Sequence, residues 1–198
     1  MIKFLEHCIH FIIIPVSMFG FGALADTQEF LRDPSPNFRH LIKLISLNEQ
    51  IDFSSLDTFR VGILTENDVN NFTSSNSDSV FYAFSEFLKN TDIQSKPMKI
   101  CSIQSDSFTV QNLSQLQCVL INYKCESILE QLLEICRKYN VLSFTFDSVY
   151  VTKGVSVGIF PDHNNIPKTL INWDQFQEEE WGLGAQILQF AKIYQIND

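Results

Sequence analysis

The run at residues 118–122, CVLIN, constrains the fold of this chain most, because it is short and almost entirely apolar. A run of this length and composition is typical of a β-strand that is buried on both faces, as in the middle of a parallel sheet. Residues 127–139 follow with apolar side chains at helical spacing on one side and glutamates on the other. A buried strand that leads into an amphipathic helix predicts an α/β domain.

The same alternation of strand and helix patterns continues along the chain. Strand patterns stand at residues 59–64, 99–104, 118–122, 141–146, 155–160 and 168–173, and helical patterns at 30–47, 80–88, 127–139 and 174–194. Turn residues at 153–154 and 161–165 predict hairpins between the last strands. We therefore expect an α/β fold: a single three-layer domain with a mostly parallel sheet, an antiparallel C-terminal hairpin edge and a terminal helix.

The terminal helix has a predicted start signal. Asp174 is followed three residues later by Gln177, as in a capping box. Glu178, Glu179 and Glu180 then fall in the first turns, where the helix dipole favours negative charge. We interpret these three glutamates as helix-start electrostatics rather than as a cation site.

The first 25 residues have the pattern of a secretory signal peptide. Lys3 precedes an apolar run at residues 9–18, and Ala23-Leu24-Ala25 forms a small-x-small cleavage site. The alternatives are a retained membrane anchor and a buried hydrophobic helix. We expect cleavage, export to the periplasm and a remaining domain at residues 26–198, in which no segment is apolar for long enough to span a bilayer.

The charge of the chain bears on its partners. The formal net charge is −9, and no block of basic residues offsets it. Nucleic acid is therefore not an expected partner, because binding to phosphates relies on Lys and Arg. The 18 phenylalanines favour a dense aromatic core over disorder.

The cysteines of the predicted mature chain are Cys101, Cys118, Cys125 and Cys136. In an oxidising compartment disulfides become plausible. Cys125 and Cys136 cannot pair if they share a continuous helix, because the rise of the helix places them ~16 Å apart. Cys101 and Cys118 lie on two strands predicted to be neighbours and are the disulfide candidates. Small buried apolar side chains are the alternative role for these cysteines.

Residues suited to catalysis or metal binding are sparse. After the predicted cleavage site, Asp162-His163-Asn164 is the one place where an acid adjoins an imidazole, and this stretch is more typical of a hairpin turn. His40 is interpreted as a solvated helix residue. We expect no enzyme activity, no catalytic residue, no metal and no cofactor.

A ligand site is predicted at one edge of the sheet. Open α/β sheets bind small molecules outside the carboxyl ends of their strands. Here that edge includes the loop Thr65, Glu66, Asn67 and Asp68, and the segment after Asn122. These four loop residues are the candidates for contact with a ligand or a partner.

Several of these segments together resemble a known family. The strand VLSFTFD at 141–147, the glycine-containing hairpin, KTLIN at 168–172 and QILQFAK at 186–192 are similar to the YfiR-like family of periplasmic regulators. The resemblance covers about residues 38–194, and its motifs are mainly hydrophobic. Unlike the best-known member, this chain has no cysteine pair at residues 148–155, and it has Lys153-Gly154 in place of the Gly-Gly usual in the family.

The resemblance implies a regulatory function. Such a domain forms homodimers and restrains a membrane sensor protein, the periplasmic domain of a diguanylate cyclase, so that cyclic-di-GMP signalling is repressed. In the best-known member disulfides tune this repression. The family's sheet also resembles one lobe of the exported solute-binding proteins, so the alternative function is periplasmic small-molecule binding.

Overall fold

The computed structural model describes residues 35–65, 76–89, 91–121, 125–162, 164, 166–182, 187–189 and 191–194. The α-helices in this part of the chain are α1 Ser35–Ser46, α2 Asn76–Leu88, α3 Val110–Leu113, α4 Leu129–Tyr139, α5 Ser148–Thr152 and α6 Trp173–Glu178. The strands are β1 Phe59–Thr65, β2 Asp92–Ile93, β3 Lys96–Gln104, β4 Cys118–Leu120, β5 Leu142–Thr145, β6 Val157–Pro161, β7 Pro167–Asn172 and β8 Ala191–Tyr194. Short 3-10 turns lie at Phe53–Ser55 and Ile187–Gln189.

The strands form one 8-stranded sheet in the order β2-β3-β1-β4-β5-β6-β7-β8. The five strands from β3 to β6 in this order run parallel to one another, and β2 runs antiparallel to β3. Strand β7 runs antiparallel to β6, and β8 is parallel to β7. The predicted α/β fold, with its mostly parallel sheet and its antiparallel hairpin towards one edge, is confirmed.

Helices cover both faces of the sheet, which makes the domain three-layered. In β1, Val61 and Ile63 face one hydrophobic core, which α1 and α2 cover. Leu64 faces the second core, where α4 packs. This alternation follows from the pleat of a strand, whose successive side chains point to opposite faces.

The first core is aromatic, as the composition predicted. Phe38 of α1 lies with its ring centroid 4.3 Å from that of Phe84 and 5.6 Å from that of Phe87. Its ring is also 5.5 Å from that of Phe146, beyond the end of β5. These tilted contacts join two helices to the sheet, and each adds roughly 0.5–1.5 kcal/mol beyond the burial of apolar area.

The predicted terminal helix at 174–194 is wrong in its extent. Helix α6 ends at Glu178, and Glu180 takes a left-handed backbone with φ 56. Residues 181–184, WGLG, carry two glycines, which lower helix propensity further. Ala191–Tyr194 pairs with the open edge of β7 instead, because an edge strand offers unpaired backbone groups to the next segment.

The connection from β5 to β6 also differs from the prediction. Residues 153–154 were expected to form a hairpin turn, but β5 and β6 are parallel. The one-turn helix α5 joins them, and its C-terminus lies at Lys153. The side chain of Asp147 caps the amino end of α5 by accepting a hydrogen bond from Val149 N at 2.9 Å.

Candidate functional site

The strand order predicts a crevice at the carboxyl edge of the sheet. From β1 the chain passes through α2 to β3 on one side, and then returns through α3 to β4 on the other side. The direction of winding therefore reverses between β1 and β4. In doubly wound sheets, ligands bind outside the carboxyl ends of the two strands at this reversal.

Thr65 ends β1 at this crevice and is 1 % exposed. Its Oγ1 lies 3.0 Å from Ser102 Oγ of β3, and its carbonyl accepts a hydrogen bond from Ser105 N at 3.0 Å. Hydroxyl and amide groups thus surround the carboxyl end of β1. The other loop candidates, Glu66, Asn67 and Asp68, lie outside the described residues.

The structure does not bring the disulfide candidates Cys101 and Cys118 together. Strand β1 lies between their strands, and the two residues pair with Gly62 and Val61 respectively. They face different cores and are free cysteines. Two strand spacings place their Cα atoms roughly 9–10 Å apart, beyond the reach of a disulfide. The prediction failed because it assumed that β3 and β4 are neighbours.

A buried carboxylate at the opposite, amino edge of the sheet escaped the sequence analysis. Glu179 is 0 % exposed. Its Oε2 accepts hydrogen bonds from Ser143 N at 3.0 Å and from the hydroxyl of Ser156. Its Oε1 accepts from Ser143 Oγ at 2.6 Å and from Gln175 Nε2 at 3.0 Å. Four donors therefore converge on one carboxylate between β5, β6 and α6.

Burial and hydrogen bonding act on Glu179 in opposite directions. Burial disfavours the charged form and raises the pKa of Glu179 from 4.5 to about 7, although the hydrogen bonds from Ser143, Ser156 and Gln175 lower it. The nearby Cys136 has a thiol pKa well above its ordinary value, chiefly because of burial and secondly because of Glu179. Glu179 is thus a proton-binding group near neutral pH.

The glutamate run does not stand at a helix start. Asn172 caps α6 through a hydrogen bond from Gln175 N to its Oδ1 at 3.3 Å, and Asp174 lies inside the helix. Glu178 ends the helix, and Glu179 and Glu180 follow it. The interpretation as helix-start electrostatics is therefore wrong.

A sequence signal for Glu179 existed in the helical spacing. Phe176 is buried, and Glu179 stands three positions later. Residues three and four apart share a helix face, so Glu179 falls on the same side as Phe176, three positions before it, and as Gln175, four positions before it. A carboxylate on that face indicates a buried polar group that needs partners.

The two histidines after the predicted cleavage site have different outcomes. His40 was expected to be solvated, but its Nε2 lies 2.7 Å from Thr169 Oγ1 of β7. Burial, and then the charge of Lys43, lower the pKa of His40. His163 lies outside the described residues, but Asp162 accepts hydrogen bonds from Asn164 N and Ile166 N at 2.9 and 3.0 Å. The predicted hairpin turn is confirmed.

The described residues contain neither a candidate membrane span nor a candidate metal cluster. In this part of the chain no helix combines the length and apolarity needed to cross a bilayer. No group of three or more His, Cys, Asp or Glu side chains within it could hold a metal ion.

Comparison with known proteins gives a likeness in structure alone. No family model matches the chain, and no curated protein matches it. A conserved domain protein from Vibrio cholerae O1 biovar El Tor aligns over 81% of this chain and 60% of its own, with a TM-score of 0.57 and 12% identity. The ABC domain in complex with L-Trp from Streptococcus pneumoniae aligns over 78% and 59%, with a TM-score of 0.53 and 13% identity.

At these identities the likeness shows the fold alone. The chain spans about 60% of the length of the first of these structures and 59% of the second. Each therefore contains a substantial part that has no counterpart in this alignment.

Proposed function

We propose that this chain is a binding domain for a small molecule with a carboxylate group, held at the crevice between the carboxyl ends of β1 and β4. The reversal of winding at this point is the observation that carries the proposal. On this view no bond is made or broken. The molecule is held by dipoles and hydroxyl groups.

The direction of α2 supports a ligand with negative charge. Strands β1 and β3 are parallel, so the intervening helix leaves the carboxyl edge and returns to the amino edge. The amino terminus of α2, which begins at Asn76, therefore lies at the carboxyl edge. Helix amino termini present free N–H groups and a positive dipole end, which favour anions.

The polar groups at the end of β1 support a polar ligand. Thr65 and Ser102 pair their hydroxyls, and Ser102 is exposed. Gln104 and Ser107 continue this polar surface, with a hydrogen bond from Ser107 Oγ to Gln104 Oε1 at 2.8 Å. The neighbouring structure in complex with L-Trp makes an amino acid the first ligand to test.

The test is thermal unfolding with amino acids and their amides as matched ligands. L-tryptophan is compared with L-tryptophanamide, which lacks the carboxylate. At ten times its Kd a ligand stabilises the folded state by about 1.4 kcal/mol, which raises the Tm of a domain of this size by roughly 3–6 °C. We expect a larger rise with the acid than with its amide in at least one pair.

Variants locate the binding. Thr65→Val removes the hydroxyl at the crevice, and Thr169→Val removes a buried hydroxyl on β7, four strands from β1 in the sheet. We expect the first variant to lose the ligand-induced rise and the second to keep it. A rise that survives in Thr65→Val, or equal rises with acids and amides, would contradict the proposal.

The regulatory function is a second proposal, which rests on the resemblance of residues 141–147, 168–172 and 186–192 to the YfiR-like family. In that case the chain restrains a membrane diguanylate cyclase from the periplasm. Deletion of the gene in a strain with such a cyclase should raise cellular cyclic-di-GMP. An unchanged level removes this proposal and leaves the ligand-binding proposal intact.

A further inference from the structure

A cleft at the amino edge of the sheet contains both tryptophans of the chain. We call it the tryptophan cleft. Its lining includes Glu49, Gln50, Trp173, Gln177, Glu180 and Trp181, and its volume is about 610 Å³. This volume lies within the range of small-molecule sites, roughly 300–1,000 Å³. The cleft is remote from the crevice described above, which lies at the carboxyl edge.

Local interactions hold the walls of the tryptophan cleft in place. Gln50 N donates to Asn48 Oδ1 at 2.8 Å, which shapes the turn after α1. Opposite it, Trp181 Nε1 donates to Asn140 O at 3.4 Å. The Asn140 side chain donates from Nδ2 to Glu180 Oε2 at 2.7 Å. Asn140 therefore holds both the Trp181 indole and the neighbouring Glu180 carboxylate in place.

Gly182 lets the two walls approach each other. A Cβ at this position would lie 2.8 Å from Gln50 Cγ, closer than side chains tolerate. The Trp173 ring stacks on Phe176 with the centroids 6.4 Å apart, so it is supported from α6. The aromatic wall is thus braced before any ligand arrives, which reduces the cost of ordering on binding.

The charge of the tryptophan cleft has one sign. Glu49 and Glu180 contribute carboxylates, and none of the described residues that line the cleft is basic. An adjoining cavity of about 360 Å³ shares Gln50, Glu180 and Trp181 and adds Asp52 and Tyr139. Hydrogen bonds from Ser54 hold the pKa of Asp52 below its ordinary value, so this group stays charged at neutral pH.

Aromatic faces and carboxylates attract the same kind of ligand. An organic cation over an indole face gains from the ring quadrupole, and tryptophan is the best of the aromatic side chains for this contact. The net charge of −9 adds a long-range field that favours cations over anions.

We propose that the tryptophan cleft binds a small organic cation of the alkylammonium class, with its charged head between the indoles and the carboxylates of Glu49 and Glu180. This site is independent of the carboxylate-binding crevice. Its ligand needs a positive charge and methyl or methylene groups, and it needs no carboxylate.

Intrinsic fluorescence gives a direct test, because every tryptophan of the chain lies in the cleft. The full chain is titrated with choline and, in parallel, with 3,3-dimethylbutan-1-ol, its uncharged isostere. We expect a saturable change in tryptophan emission with choline, and at least about tenfold weaker binding of the alcohol. Equal affinities for the two compounds, or no change up to about 10 mM choline, would overturn the proposal.

Variants separate the cleft from the rest of the molecule. Glu49→Gln removes one exposed carboxylate of the cleft and should weaken choline binding about fivefold, the factor that corresponds to about 1 kcal/mol. Glu134→Gln, an exposed position on α4, is the matched control and should leave the affinity unchanged. Trp173→Leu should also weaken choline binding. Trp173→Phe keeps an aromatic ring and should weaken binding less, and it provides the test if the leucine variant folds poorly.

The proposals for the two sites can be refuted independently of each other. Thr65→Val should leave the choline titration unchanged, because Thr65 lies at the carboxyl edge. Loss of choline binding in this variant, or equal affinity in Glu49→Gln and the unsubstituted chain, would rule out the cleft as the site. Neither outcome depends on whether an amino acid binds at the crevice.

Discussion

Replacing Glu179 with glutamine should change how the stability of the protein depends on pH. The carboxyl is fully buried, and its pKa rises from 4.5 to about 7 in the folded state. A group with a higher pKa when folded binds protons more tightly in that state, so its stabilising contribution is complete below the unfolded pKa. That contribution is lost as the pH rises from about 4.5 towards about 7.

The size of the effect follows from the shift in pKa. At ~1.36 kcal/mol for each pKa unit, a rise from 4.5 to about 7 corresponds to about 3 kcal/mol in the free energy of unfolding. Glutamine keeps the shape of the side chain but does not titrate. We therefore expect the variant to gain about 3 kcal/mol relative to the unsubstituted protein between about pH 4 and pH 8.

The difference in unfolding free energy between the variant and the unsubstituted protein at one pH is less informative than the change of this difference with pH. Glutamine has no charge to bury, which stabilises the variant at high pH. Its amide NH₂ is a donor, however, and it faces groups that donate hydrogen bonds to the carboxylate in the unsubstituted protein. Ser143 N cannot reverse its role, whereas the hydroxyls of Ser143 and Ser156 can. The pH-independent cost of this mismatch cancels when the same variant is compared across pH.

Urea denaturation followed by tryptophan fluorescence measures the effect at a series of pH values from about 4 to 8. Glu178→Gln is the matched control at the neighbouring position. The side chain of Glu178 is 59% exposed, and its carboxylate lies 3.5 Å from Arg137 Nε. We expect that control to change stability by under about 0.5 kcal/mol, as is typical of exposed ion pairs. Parallel pH profiles for Glu179→Gln and the unsubstituted protein would refute a buried carboxyl that titrates near neutral pH.

Further predictions concern the cysteines, His40 and Gly62. Among the cysteines that the structure describes, Cys101 is partly exposed and the rest are buried, so native labelling with a thiol reagent should fall by one thiol in Cys101→Ser; an unchanged count would contradict the structure. NMR titration of the His40 ring should give a pKa below 6.5, and Lys43→Gln should raise it, since burial and then the charge of Lys43 lower it; the neutral form then stabilises the fold above pH 6.5, and this contribution is lost as the pH falls. Gly62→Ala should lower the free energy of unfolding by about 1–3 kcal/mol in urea titrations, because its Cβ would overlap Leu116 Cδ1 in the second core; an unchanged value would contradict this packing.

Much of the fold could be predicted because it depends on local patterns. The strand at 118–122 was assigned from its apolar composition, and Cys118–Leu120 is buried on both faces of the sheet. The middle helix was assigned from its amphipathic spacing, and the structure has it at Leu129–Tyr139, followed by Asn140 in a left-handed conformation with φ 56. Each of these features is determined by residues a few positions apart, and such interactions are visible in the sequence.

The terminal segment shows where local patterns are insufficient. Residues 191–194 have helical spacing with their predecessors, but they extend the sheet beside β7. Their conformation is decided by an open sheet edge that the preceding part of the chain creates. The same dependence on distant partners explains the error at Cys101, because strand order determines which residues are neighbours.

The sequence by itself determined the class of the fold, the positions of most strands, the aromatic core and the acidic charge. Only the tertiary structure decided which polar groups come together: Thr65 with Ser102 at one edge, and Glu179 with Ser143 and Ser156 at the other. Secondary structure depends on periodicity over a few residues, whereas these clusters join residues 13 to 37 positions apart. The free energy that neutralises or stabilises a buried carboxylate belongs to the assembled site, and no single segment contains it.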